Sequence, residues 1–283
     1  MSRPLATQPD PVQRDMIYVY TVLSRRSGGL SIGINLNPNR ACNWRCVYCQ
    51  VPGLIRGVAP DIDLARLEAE LRSLLESMLY GDFYECHGLS PEHRIIRDIA
   101  IAGNGEPTGS PMFEAVIGLI GQVVAEYDLL DQISRVLITN GSLLHKPEVQ
   151  RGLAHWSELG GQVWFKLDSG SEEGIRRVNN VNLSLSHVRR NLELCARLCP
   201  TWVQTCLFEF DGQAPDEGEQ DAYLSFLSSL RQDGIAIEGV LIYGLDRPSS
   251  QPEGSRLKAL PVFWLQAFGQ RVEGLGLVAK IHA

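Results

Sequence analysis

Residues 30–49 read LSIGINLNPNRACNWRCVYC, from Leu30 to Cys49. The first seven, LSIGINL, form an apolar run of the length of a buried strand. Directly after it the chain places three thiols, Cys42, Cys46 and Cys49, within eight residues, with the spacing Cys-x3-Cys-x2-Cys. A strand that opens into a loop of three soft ligands raises two questions: what architecture carries the strand, and what the thiols hold.

The pattern that follows the strand answers the first. Strand-length apolar runs recur at 97–103, 134–140, 162–168, 201–210 and 239–245, separated by helix-like stretches at 61–80, 111–126, 147–158, 184–198, 217–233 and 255–273. Strand and helix in alternation mean parallel strands joined by crossover helices, an α/β protein. Within the first helical stretch Leu64, Leu67, Leu71, Leu74 and Leu75 make an i, i+3, i+4 stripe, preceded by Asp61 and Asp63 as start signals. Residues 81–94 and 246–254 read as polar loops, neither long enough to divide the chain, so one domain over 24–283 is expected after an N-terminal extension, 1–23. Six β/α units either close partly into a barrel or spread as a doubly wound sheet. In both cases function gathers at the C-terminal ends of the strands, where the cysteine loop lies.

Composition bounds the rest. Of 283 residues 44% are hydrophobic and 21% charged, as in folded globular chains. No apolar run reaches the length of a membrane span, and the first fifteen residues do not read as a signal peptide, so no membrane association and a cytoplasmic location are expected. Seven cysteines in such a chain favour metal or redox chemistry over disulfides. The formal net charge of −7 works against extensive nucleic-acid binding, whose nonspecific part comes from neutralised phosphates.

A structural zinc site usually takes four ligands in two close pairs, whereas a cuboidal 4Fe-4S cluster can take three thiolates and leave one iron for a non-protein ligand. The cysteine spacing alone leaves zinc, or a fourth ligand from elsewhere in the chain, open. A second feature stands at the same predicted sheet edge: Ala102-Gly103-Asn104-Gly105-Glu106-Pro107-Thr108 follows the second strand, a glycine-rich turn able to bring backbone close to a ligand.

With CxxxCxxC, Tyr48 before its last cysteine, the GNGEP turn, Thr139-Asn140-Gly141 after the third strand and Lys166-Leu167-Asp168 closing the fourth, the chain resembles a radical S-adenosylmethionine (SAM) enzyme. Ser24-Arg25-Arg26, SIGINL, CVYCQ and Leu245-Asp246-Arg247-Pro248 further resemble a branch of iron-sulfur oxidoreductases related to the wyosine-type tRNA-modifying enzymes. The resemblance spans residues 20–283 and implies a partial (β/α)6, TIM-like barrel. It also implies that Cys42, Cys46 and Cys49 ligate a 4Fe-4S cluster whose fourth iron is chelated by SAM. On reduction by a partner such as flavodoxin or ferredoxin, SAM is cleaved to methionine and a 5'-deoxyadenosyl radical that takes hydrogen from a substrate, here unidentified.

The same resemblance implies SAM contacts from Tyr48, from Gly103, Asn104, Gly105 and Glu106, and from Asn140. Lys166 and Asp168, two apart on one strand, should share a face, where a buried pair must bind each other or a ligand; SAM contacts are the reading adopted. Arg25 and Arg26, a few residues before the first strand, and Asp246 and Arg247 on a late loop are candidate substrate contacts. Cys195, Cys199 and Cys206 read either as core residues or as ligands of a second cluster. The rival to an enzyme is a zinc or iron-sulfur binding module without turnover.

Overall fold

The structure is a computed structural model and describes residues 3–4, 15–24 and 29–282. Its sheet has seven parallel strands in sequence order. These are Gly29–Ile34 (β2), Ile96–Ile101 (β3), Ser134–Thr139 (β4), Gly161–Lys166 (β5), Thr201–Phe210 (β6), Gly239–Gly244 (β7) and Ala279–His282 (β8). An antiparallel strand, Val19–Ser24 (β1), covers the outer edge of β2, with the short Arg3–Pro4 beyond it. β1 and β8 are not paired with each other, so the sheet is an open, curled half-barrel with its helices outside.

Outward positions on the strands are mostly apolar, with Arg135, Thr139, Thr201 and Thr205 as buried polar exceptions. In β5, Val163 and Phe165 are buried against the helices, while Gln162, Trp164 and Lys166 alternate with them and line the barrel interior. The longer helices are Leu64–Tyr80 (α1), Phe113–Glu126 (α2), Pro147–Glu158 (α3), Glu172–Asn179 (α4), Leu185–Leu198 (α5), Glu217–Gln232 (α6) and Val262–Glu273 (α7), with a single short turn of helix at Phe83–Cys86. Asp63, Ser171, Ser184 and Asp216 each cap a helix by accepting a backbone N–H three residues on. In α1 the expected leucine stripe is buried at Leu67, Leu71, Leu74 and Leu75, joined by Met78, whereas Leu64 is only half-buried. Glu70 interrupts the stripe because its carboxylate accepts the N–H groups of Ile17, Tyr18 and Val19 and an ion pair from Arg66, which fixes the chain leading into β1.

Three expectations change. The expected boundary between residues 23 and 24 falls inside β1. The helix placed at 255–273 begins only at Val262, since Pro261 takes the position before it; upstream, Leu257–Ala259 pairs antiparallel with the end of β6. The strand placed at 162–168 ends at Lys166, so Asp168 lies beyond the ladder. No helix among the described residues is long and apolar enough to cross a membrane. Cys195 and Cys199 are core residues: Thr201 Oγ1 donates to Cys195 Sγ at 3.3 Å and Cys199 Sγ to Gly161 O at 3.3 Å.

Candidate active site

The cysteine loop leaves β2 through Asn35 and Asn37, whose side chains do the work that the sequence suggested for glycines. Asn35 Oδ1 accepts the N–H groups of Asn37 (3.0 Å) and Asn104 (3.1 Å), tying the first βα loop to the GNGEP turn, and Asn37 Nδ2 donates to Ala41 O at 2.9 Å. Gly103 and Gly105 are required by this packing. A Cβ on Gly103 would strike the Asn35 amide, and one on Gly105 would overlap Ala41 O and lie 2.7 Å from Asn37 Cγ. Gly105→Ala should therefore cost about 1–3 kcal/mol through overpacking, measured by denaturant unfolding. Gly88→Ala, where a Cβ meets nothing within 4 Å, reports the φ penalty alone.

Two further segments hold the loop. The C-terminal carbonyls of α4, which have no partners inside the helix, accept from it: Arg45 N–H donates to Asn179 O and Val47 N–H to Val178 O at 2.8 Å. α4 stops there because Asn180 adopts the left-handed conformation, φ 53°, with its side chain donating to Arg45 O. From the other side Ser249 Oγ donates to Val47 O at 2.6 Å, Gln251 Nε2 to Val51 O at 3.1 Å, and Arg45 pairs with Glu253 at 2.8 Å. The late loop is thus first a buttress of the cysteine segment. Asp246 and Arg247 line the cavity beneath it, their charged ends 3.9 Å apart.

All three thiols line one cavity of about 630 Å³ at the C-terminal mouth of the half-barrel, together with Tyr48, Gly103, Gly105, Glu106, Asn140, Lys166 and Gln204. N–H donors are directed at two of the sulfurs: Trp44 N–H at Cys42 (3.4 Å) and Asn179 Nδ2 at Cys46 (3.2 Å). Burial pushes the Cys42 thiol up to about 11 and the Cys46 thiol to about 12, and raises Cys49 as well. Protonated sulfurs are therefore what the ligand-free site prefers, while the donors and the nearby Lys166 ammonium favour the ionised sulfur. A cation or cluster supplies the missing positive charge, and this donor set fits an iron-sulfur group. Among the described residues no three His, Cys, Asp or Glu side chains converge on a point that could hold a single metal ion. A cuboidal cluster, bound through a different iron at each thiolate, does not ask them to converge.

Two buried carboxylates organise the walls. Asp168 accepts from Tyr48 Oη (2.6 Å), Asn179 Nδ2 (2.7 Å) and Cys206 N–H (2.9 Å). It makes no ion pair with Lys166: β5 ends at Lys166, and just past that end the Asp168 carboxylate is taken up by Tyr48, Asn179 and Cys206. Lys166 remains inside, its ammonium 5.0 Å from the Tyr48 ring centre. Burial opposes its charge, but the Asp168 carboxylate, and the sulfurs of Cys46, Cys206 and Cys49 where ionised, outweigh that and hold its pKa above the ordinary lysine value. Burial, followed by the neighbouring Asp168 charge, raises the Tyr48 phenol well above its usual range.

Glu106 is the second hub. It accepts from Thr108 N–H and Oγ1, Thr139 Oγ1 (2.6 Å) and Asn140 N–H (2.7 Å), although burial raises its pKa against those bonds. Asn140 in turn donates to Asn43 Oδ1 at 2.8 Å and accepts from Ser142. Both side chains expected to contact SAM are thus committed largely to joining the second and third βα loops to the cysteine loop. Gln204, on β6 beside Lys166, was not anticipated: its Oε1 is buried in the cavity wall without a hydrogen-bond partner. Asn179 was also missed, because it follows the loop by 130 residues of sequence and looked like part of a polar turn. Arg25 and Arg26 lie outside the described residues.

Comparison with known proteins places the chain in a family. Over 159 residues the chain is 29% identical to a UPF0026 protein of Helicobacter pylori (strain ATCC 700392 / 26695), covering 56% of this chain and 44% of that protein, so it spans less than half the length of the curated relative. Among solved structures, a radical SAM methyltransferase from Sphaerobacter thermophilus superposes with a TM-score of 0.59 at 14% identity, covering 93% of this chain and 69% of that one. TYW1 with a lysine-pyruvate adduct bound superposes with a TM-score of 0.55 at 12% identity, covering 95% and 79%. These two likenesses show a shared fold. The radical SAM superfamily model matches residues 36–217, from the end of β2 through the cysteine loop and the strands that wall the cavity, and the chain belongs to that superfamily of enzymes.

Proposed function

We propose that Cys42, Cys46 and Cys49 hold three irons of a 4Fe-4S cluster and that SAM occupies the cavity beneath it, with its amino and carboxylate groups at the open iron. A cluster held by these cysteines would supply, once reduced, the electron for reductive cleavage of bound SAM, the chemistry that would let the enzyme take a hydrogen atom from a substrate. The observation that carries the reading is the cavity itself: three thiols, two with N–H donors at sulfur, over an interior that contains a buried ammonium and an unpartnered amide oxygen.

The chain's own residues fix position and exclude water. Asn179 donates one amide hydrogen to Cys46 and the other to Asp168, so it orients the sulfur and steadies its charge. Tyr48, locked by Asp168 and packed on Phe208 at 5.7 Å between ring centres, presents a fixed ring to the cavity, with the Lys166 ammonium over it. Lys166 supplies a cation for a carboxylate. Gln204 Oε1 accepts an N–H or O–H from whatever fills the site, which would repay the cost of burying it unbonded. Glu106 and Asn140 keep the glycine turn and the third βα loop against the cysteines, and the backbone of Gly103–Gly105 contacts the cofactor. Asp246 and Arg247 face the outer part of the cavity, where substrate would enter.

Anaerobic reconstitution should load about four irons and four sulfides per chain, and with dithionite the protein should convert SAM to 5'-deoxyadenosine, detected by chromatography. An intact cluster that yields no nucleoside would refute the proposal.

A further inference from the structure

Four thiols line the main cavity, and the cluster reading uses three of them; the fourth is Cys206. It stands on β6, half-buried, with its N–H fixed on Asp168 at 2.9 Å. Two positions earlier on the same strand, and so on the same face, lies Gln204. Gln204 is 9% exposed and lines the same cavity, and its Oε1 has no hydrogen-bond partner. A bound molecule that brings an N–H or O–H to this acceptor offsets the cost of burying it, and a molecule held there lies beside Cys206. Cys206 also borders a second cavity of about 80 Å³, lined by Asp168, Ser169, Tyr223, Glu219 and the exposed Asp216. A space of that size and polarity admits water. The sulfur thus stands between the reaction cavity and a polar space that reaches the surface. Burial, then the Asp168 carboxylate, raise the Cys206 thiol above its usual range, so the hydrogen stays on sulfur.

We propose that Cys206 delivers a hydrogen atom to carbon radicals formed in this cavity, on a substrate that Gln204 holds through an N–H or O–H group. The inference rests on the cluster and SAM reading above. An S–H bond is weaker than an aliphatic C–H bond, so a carbon radical in contact with a thiol takes its hydrogen. A thiol in the wall of such a cavity therefore ends the reaction unless the reaction uses it. In the step the S–H bond breaks homolytically, a C–H bond forms on the substrate, and a thiyl radical is left on Cys206. One electron from a low-potential one-electron reductant, of the class that reduces the cluster, and one proton from the polar cavity restore the thiol. The substrate loses one hydrogen and regains another, so it is rearranged or inverted with no net oxidation, and each turnover consumes one SAM, two electrons and one proton.

The test needs no substrate, because the deoxyadenosyl carbon produced from SAM alone is the probe. Reconstituted protein in D2O, free of added thiol, is supplied with SAM and dithionite, and the 5'-deoxyadenosine is analysed by mass spectrometry. The O–D bond of water is too strong to be attacked, so deuterium enters only from a weaker exchangeable bond of the protein. Most of the wild-type nucleoside should carry one deuterium. In Cys206→Ser and Cys206→Ala, whose iron content checks that the cluster is intact, the label should fall to the level found in H2O. A second readout needs no variant: with a nitrone spin trap present, the wild-type peptide that contains Cys206 should gain the mass of the trap. Wild-type nucleoside free of deuterium, with no trap on Cys206, would overturn the proposal and leave the functional reading standing. Equal labelling in wild type and both variants would overturn it too, by giving the hydrogen to another exchangeable group. An intact cluster that yields no nucleoside would defeat the functional reading, and this proposal with it.

Discussion

Cys46→Ala is expected to abolish 5'-deoxyadenosine formation, by at least about a thousandfold, while leaving the fold nearly intact. The two effects separate because the only side-chain hydrogen bond by which Cys46 holds the loop is the one its sulfur accepts from Asn179. The loop is fixed by Arg45 and Val47 N–H on the α4 carbonyls and by Ser249 and Gln251 on the carbonyls of Val47 and Val51. In the metal-free protein the substitution removes one acceptor from Asn179, whose other hydrogen stays on Asp168. That should cost about 1 kcal/mol, or roughly 2–4 °C in Tm for a chain of this size. With two thiolates left, iron content and the cluster's visible absorbance should collapse. A variant that retained a full cluster and turnover would show that Cys46 is not a ligand. A variant that unfolded outright would mark the cysteines as structural, as in a zinc-stabilised module.

Asp168→Ala should do the reverse, damaging the fold at least as much as the chemistry. It strands three donors in the interior, the Tyr48 hydroxyl, the Asn179 amide and the Cys206 N–H, and leaves the Lys166 ammonium without its nearest carboxylate. Leaving buried donors without an acceptor costs about 1–3 kcal/mol each, so a loss of roughly 10 °C or more in Tm is expected. Asp168→Asn keeps the volume but turns an amide N–H toward groups that are themselves donors, and should fall between alanine and wild type. Adding Lys166→Met to Asp168→Ala should recover part of the stability, because it removes the uncompensated charge; calorimetry of the four proteins would measure the coupling. If Asp168→Ala were as stable as wild type, the hub would carry no energetic weight.

The parallel strands from β2 to β7 were legible because each is a predominantly apolar, strand-length run between helix-length amphipathic stretches, although the inward face of several carries polar residues that line the cavities. The cysteine loop was legible because its ligands are close in sequence. β1 was not, since an antiparallel edge strand leaves no signal beyond the apolar run at 16–23 until its partner is known. α4, eight residues of Glu, Gly, Arg and Asn with two apolar positions, carries too short a stripe to separate from a loop, yet its last turn positions Asn179 on Cys46 across 133 residues. Contacts of that span depend on how the barrel closes, which no local period encodes. The same limit explains Lys166 and Asp168: alternation predicts a common face only while the strand lasts, and β5 ends between them. Glycines 103 and 105 were rightly singled out, but the close approach they permit is to Asn35, Asn37 and Ala41 of the neighbouring loop. Ser249 and Gln251 had no signal at all, because a polar loop that buttresses another reads like any other polar loop.

The central claim is a cluster held at three corners with its fourth iron open to SAM. Electron paramagnetic resonance of the anaerobically reconstituted, reduced protein, recorded with and without SAM, tests it most directly. A cluster signal whose shape and g-values change on adding SAM is the predicted result. A spectrum indifferent to SAM, or a purified protein holding one zinc ion and no iron, would contradict it.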